Sequence, residues 1–144
     1  MSRRVAREAA IQVLYQIDVS KADVESALVF VKNENKLTDV QLEFASSLVL
    51  GVLSHLKAIN KTIKKIALEW ELERMAVVDR NIIRLALFEI CYSDEVPLNV
   101  VANEAIELGK TFSTDESGRF INGILGKALL NPEQYNVKKR NIGV

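Results

Sequence analysis

Apolar residues recur along the chain at intervals of three and four, the spacing of one face of an α-helix. At about 100° per residue, Val5, Ala6, Ala9, Ala10, Val13, Leu14 and Ile17 share one side of a helix over residues 3–19. Arg4, Arg7, Glu8, Ile11, Gln12, Tyr15 and Asp18 fall on the other side. Val24, Leu28 and Val31 predict a second helix over 22–33, closed by the polar break Asn33-Glu-Asn-Lys. Thr38 and Gln41 have capping-box spacing and open a third helix. Its apolar stripe runs on to Ile66, longer than an ordinary helix, so a bend is expected near Ser54-His55. Residues 77–92 are apolar nearly all round and predict the buried central helix. Pro97 suits the first position of a helix running to about Thr111. Ser113-Thr-Asp-Glu116 opens the last helix, which ends near Leu130 before Pro132. The pattern predicts an all-α single domain of about seven helices over 1–132, then a basic, flexible tail over 133–144.

Composition narrows the class. The 144 residues are 49% hydrophobic, which argues against disorder, and 6 Gly with 2 Pro are too few turn residues for a β-sandwich. A single cysteine, Cys91, excludes an intramolecular disulfide and a CxxC zinc site. With no secretory signature, a cytoplasmic protein is expected. No apolar run approaches the ~20 residues of a membrane span. The basic, helical start resembles some transit peptides, but Glu8 and the unbroken periodicity after it argue against a removable leader.

Charge taken as a sum is uninformative, because 19 basic and 19 acidic residues cancel. Their placement is not uniform. Arg3, Arg4 and Arg7 gather at the start, and Glu69, Glu71, Glu73 and Asp79 in the middle. Cations at a helix N-terminus oppose the helix dipole, so the cluster points to a role outside the helix. Tyr15 lies within about 40° of Arg4 and Glu8 on the helical wheel, with Gln12 beside them. Guanidinium groups, an amide and an exposed ring are the equipment for single-stranded RNA: they neutralise phosphate, read a base edge and stack on a base. Tyr15 packed beneath a neighbouring helix is the alternative.

Catalytic chemistry finds no support. His55 has nothing nearby in the pattern to orient it, and Cys91 reads as a small core residue. Glu104 and Glu107 read as a solvated helix face. Neither a phosphate-binding glycine loop nor a zinc-protease motif occurs. The chain is expected to be no enzyme and to need no cofactor or metal.

Four segments in order resemble the NusB family of bacterial transcription antitermination factors. They are Arg3-Arg-Val-Ala-Arg7-Glu8-Ala-Ala-Ile-Gln12-Val-Leu-Tyr15, and Val78-Asp79-Arg80-Asn81-Ile82-Ile83-Arg84-Leu85-Ala86-Leu87-Phe88-Glu89. The third is Val96-Pro97 with Asn103-Glu104-Ala105-Ile106-Glu107-Leu108; the fourth is Phe112 with Phe120-Ile121-Asn122-Gly123-Ile124-Leu125 and Lys127. The resemblance implies an all-helical, two-bundle fold without catalysis. It implies binding of boxA RNA jointly with NusE, a small-subunit ribosomal protein, within an antitermination complex on RNA polymerase, chiefly during ribosomal RNA synthesis.

By position, the resemblance implies RNA contacts at Arg3, Arg4, Arg7, Gln12, Tyr15, Phe112, Glu116, Arg119 and Phe120. Glu116 could instead cap its helix, and Phe120 could be core. For NusE it implies Glu71, Glu73, Arg74, Asp79 and Arg80, an acidic patch suited to a basic partner; Asp79 could instead cap the central helix. Family members occur as monomers and as dimers, which leaves a homodimer open. Gly109 and Gly126 depart from the family, which usually has Ala and Asp there, at up to ~1 kcal/mol each relative to Ala. Gly123 is expected to admit a neighbouring helix. A helical protein–protein adaptor without RNA function is the competing reading.

Overall fold

A computed structural model describes residues 3–140. These form seven α-helices: α1 (Arg3–Ser20), α2 (Val24–Asn35), α3 (Asp39–Ser54), α4 (Leu56–Ile66), α5 (Val77–Tyr92), α6 (Leu98–Phe112) and α7 (Asp115–Leu130). A single 3₁₀ turn, Leu72–Arg74, precedes α5. The fold is an all-α single domain. The capping box at Thr38 forms as the spacing predicts: the Thr38 hydroxyl accepts from Gln41 N–H and the Gln41 side chain accepts from Thr38 N–H. The long third stripe breaks at His55, where α3 and α4 meet at 73°. His55 Nδ1 lies 3.0 Å from the Gly51 carbonyl, and its ring stacks on Tyr92 at 4.0 Å. The last cap shifts by one residue: Thr114, not Ser113, accepts from Ser117 N–H. Pro97 sits just before the first turn of α6 rather than within it.

α5 is the central helix, burying Ile82, Ile83, Leu85, Ala86, Leu87 and Ile90. Each large side chain among them contributes roughly 1.5–3 kcal/mol. α3 approaches α5 through Gly51, where a Cβ would stand 2.1 Å from Phe88 Cζ. α6 and α7 pair closely at Gly109, where a Cβ would meet Ile121 Cδ1 at 2.6 Å. Gly123 does not admit a helix as expected; nothing lies within 4 Å of its would-be Cβ.

α1 packs on α2, α3 and α5 at once, and this corrects the two-sided wheel. Arg7 and Ile11, expected on the polar face, are buried at 3% and 2% exposure. Arg7 donates to Glu89 of α5 through Nε (3.0 Å) and Nη2 (2.8 Å), in a pair sealed from solvent on both sides. At the other end of α1, Asp18 accepts from Arg80 Nε and Nη2 (2.7 and 2.8 Å), Asn81 Nδ2 (3.0 Å) and Arg84 Nη1 (2.9 Å). Two charge clamps thus fix α1 antiparallel to α5.

The tail also departs from expectation. Tyr135 is buried, and Lys138 N–H donates to the Ile90 carbonyl. The Arg140 guanidinium donates to the carbonyls of Glu89, Ile90, Ser93 and Val96. A cation there satisfies the open carbonyls at the end of α5 and matches its dipole. The tail is therefore docked through residue 140; the rest of that expectation, residues 141–144, lies outside the described residues.

Removing one partner from a buried pair leaves the other charge desolvated and alone. Arg7→Ala is expected to destabilise the fold by about 3–5 kcal/mol in urea titrations. Arg7→Met with Glu89→Leu is expected to recover most of that loss.

Candidate nucleic-acid interface

With Arg7 turned inward, the outward side of α1 includes Arg3, Arg4, the half-buried Glu8 and Gln12, and Tyr15. Arg3 lies over the Phe44 ring at 4.5 Å from its centroid, and the buried Arg7 faces the same ring at 5.5 Å. Arg4 forks onto Glu104 of α6: its Nε donates to Oε1 at 3.1 Å, and its Nη2 donates to Oε2. Glu104 is therefore no solvated bystander. The Arg4 guanidinium holds its carboxyl below the usual range.

Further along α1, the Tyr15 ring is 42% exposed, which settles its alternative: it is not packed under a neighbour. Gln12 is half-buried, and its Oε1 accepts from Asn35 Nδ2 at 3.1 Å. That bond orients the amide with its NH₂ free of this contact. Gln12 and Tyr15 line a cleft of about 340 Å³ together with Phe112 from the end of α6. Residues almost 100 positions apart in sequence thus share one cleft lined by an amide and two rings, groups that can hold an unpaired base.

The remaining residues expected on the RNA side fall elsewhere. Glu116 and Phe120 line a second cleft of about 320 Å³ with Trp70, Arg74, Asp79 and Ser117. Phe120 meets Trp70 edge-on, with centroids 5.3 Å apart. Arg119 is exposed and borders an adjoining hollow with Trp70 and Lys127. Glu116 makes no cap; Thr114 does. The structure therefore groups Glu116 and Phe120 with residues expected to meet a protein.

The expected protein-facing patch is also rearranged. Glu71, Glu73 and Arg74 are exposed, with Arg74 Nε 3.4 Å from Glu71 and Lys64 3.9 Å from Glu73. Asp79 is not on the surface: it is 8% exposed, and its Oδ2 accepts from Ser117 Oγ at 3.1 Å. Nor does its side chain cap α5. Burial pushes its carboxyl above the usual range, against the opposing effect of the Ser117 hydroxyl. Arg80 is largely buried by its pairing with Asp18, and its Nη1 reaches the Leu72 and Glu73 carbonyls at 3.5 and 3.4 Å. It ties the end of α1 to the 3₁₀ turn that displays Glu73 and Arg74.

Trp70, 56% exposed, is a site residue that pattern and motif did not single out. Its signal was available: the only tryptophan in the chain stands between Glu69 and Glu71, in a stretch with no helical stripe. An aromatic residue with no apolar face to join is a candidate for contact with something else.

Comparison with known proteins identifies the family. The NusB family profile matches residues 4–129. The chain belongs to the NusB family. It is 49% identical over 135 residues to the transcription antitermination protein NusB of Pelotomaculum thermopropionicum, covering 94% of each chain. It is 50% identical over 134 residues to that of Desulforamulus reducens, covering 93% of this chain and 94% of the relative. Among solved structures, T. maritima NusB superposes with a TM-score of 0.84 at 32% identity, covering 94% of this chain and 96% of that one. A chain in a crystal structure of antitermination factors NusB and NusE in complex with dsRNA superposes at 0.82 and 25% identity, covering 90% and 96%.

The clamp at the end of α1 makes a pH prediction for this NusB-family fold. Hydrogen bonds from Arg80 and Asn81 and the charge of Arg84 lower the Asp18 carboxyl from 3.8 to about 2, against the cost of burial. A lowered carboxyl stabilises the fold fully above its unfolded value and loses that contribution as pH falls through its folded value. Asp18→Asn is therefore expected to be less stable than wild type at pH 7. In denaturant titrations across pH, that gap should close between about pH 4 and pH 2.

Proposed function

We propose that this chain is a transcription antitermination factor that binds boxA RNA together with NusE. It acts in the cytoplasm, within the antitermination complex on RNA polymerase, chiefly during ribosomal RNA synthesis. The observation that carries the RNA reading is the cleft shared by Gln12, Tyr15 and Phe112, on the helix that also carries Arg3 and Arg4. The arginines attract the backbone, and the rings and amide hold bases. Arg7 supports this face from inside the fold and makes no phosphate contact.

NusE docks on the other side of the central helix start, where Glu71, Glu73 and Arg74 are exposed beside the Trp70–Phe120 cleft. Exposed carboxylates suit a basic ribosomal protein, and an aromatic pair supplies apolar area. Asp79 and Arg80 serve this surface from beneath, by fixing α7 and the 3₁₀ turn against α5. Phe120 and Glu116 accompany it, and Arg119 extends the site toward RNA held by both proteins.

The role is non-catalytic. His55 serves the α3–α4 bend. Burial pushes the Cys91 thiol up to about 11, away from reactive thiolate.

The test is filter binding with boxA RNA and a scrambled sequence, each with and without NusE. Preference for boxA, enhanced by NusE, is expected; equal binding of both RNAs under every condition favours the adaptor reading. Tyr15→Ala is expected to weaken boxA binding by roughly 1–3 kcal/mol with the fold intact.

A further inference from the structure

The start of α1 carries a restraint as well as an attraction. Arg4 and Arg7 face the carboxylates Glu89 and Glu104, and the charges of Glu107 and Glu8 also reach Arg4, so the corner carries no surplus positive charge. Arg7 is sealed against Glu89, and its Nη1 also lies 4.0 Å from Glu104 Oε1. Arg4 is the half-exposed member, with 43% of its side chain accessible against 19% for Glu104. Both line a cleft of about 550 Å³ whose other walls include Arg3, Glu95 and Pro97. The Nε and Nη2 hydrogens of Arg4 form one of the two guanidinium edges that can fork a phosphate, and Glu104 occupies it while its charge offsets the whole group. Arg4 is the leading cause of the lowered Glu104 carboxyl, so the competitor is ionised at neutral pH. A phosphate reaching Arg4 must displace this carboxylate or share the guanidinium with it.

We propose that Glu104 is a specificity-determining residue for RNA: by holding Arg4, it denies that cation to RNA that offers only its backbone. Tight binding then requires bases that engage Gln12, Tyr15 and Phe112 as well. Charge alone would bind any polyanion. A neutralised corner makes the base-reading cleft decisive. This inference rests on the reading of α1 as an RNA face, and it adds a residue from α6 that makes no RNA contact of its own.

The experiment compares wild type, Glu104→Gln, Arg4→Ala and the double variant Arg4→Ala/Glu104→Gln on boxA RNA and on a scrambled RNA of equal length, across a salt series. Glu104→Gln is expected to bind scrambled RNA several-fold tighter, with a salt dependence steeper by up to ~0.7 because Arg4 neutralises one further phosphate. BoxA binding should tighten less, so discrimination falls. Measured against Arg4→Ala alone, the double variant should show no tightening from Glu104→Gln, whereas a general loss of negative charge would tighten binding in that background as well. Glu104→Asp keeps the charge but draws it back by one methylene; it folds with Arg7 still faced by a carboxylate and should show the same loss of discrimination in smaller degree. Unchanged discrimination and slope in both Glu104 variants, or equal weakening on both RNAs, overturns this inference alone. Wild-type protein that binds neither RNA overturns the RNA face itself.

Discussion

The antiparallel clamping of α1 against α5 is the constraint on which the other features depend. α1 packs on its neighbours through Ala6, Ala9 and Ala10 together with Ile11, Val13 and Leu14, and apolar packing is less directional than a charged pair. The charged pairs define rotation and register. Arg7 forks onto Glu89, and Asp18 receives Arg80, Asn81 and Arg84 together. Buried pairs of this kind contribute little net stability once desolvation is counted, but a wrong register would leave each charge buried and alone. The clamps therefore act as a specification of one arrangement, and the hydrophobic surface of α5 supplies the energy.

From that specification the functional geometry follows. Rotation of α1 is set so that Arg7 and Ile11 point inward while Arg4, Gln12 and Tyr15 remain on the outer strip. The Asp18 cluster also connects two surfaces. Arg80 grips the end of α1 with one side of its guanidinium and the carbonyls of the 3₁₀ turn with the other. The proposed RNA and protein faces thus share one clamped element, which gives a physical route for binding at one to favour the other.

Much of the fold was legible because its signals are local. The Thr38 capping box, the break at His55 and the all-round apolar α5 each involve residues within a few turns of one another. The site was half legible. Periodicity assigned α1 two faces, yet three neighbouring helices leave it only one exposed strip, and an arginine can be buried when a carboxylate waits for it. Glu89 is 82 positions from Arg7 and Glu104 is 100 from Arg4, so no spacing rule exposes either pair. The resemblance implied a partner surface at Asp79 and Arg80, and no local pattern shows that Ser117 and Asp18 hold their side chains largely inside. The tail looked flexible by composition, because the carbonyls that Arg140 satisfies belong to a helix end some 50 residues earlier.

Native-state hydrogen exchange on the RNA-free protein tests the clamp most directly. If α1 is locked to α5, amides of Val13, Leu14 and Tyr15 should exchange only with global unfolding, at the same opening free energy as Ile83 to Leu87. Exchange of α1 through a separate, lower-energy opening while α5 stays protected would contradict the clamp.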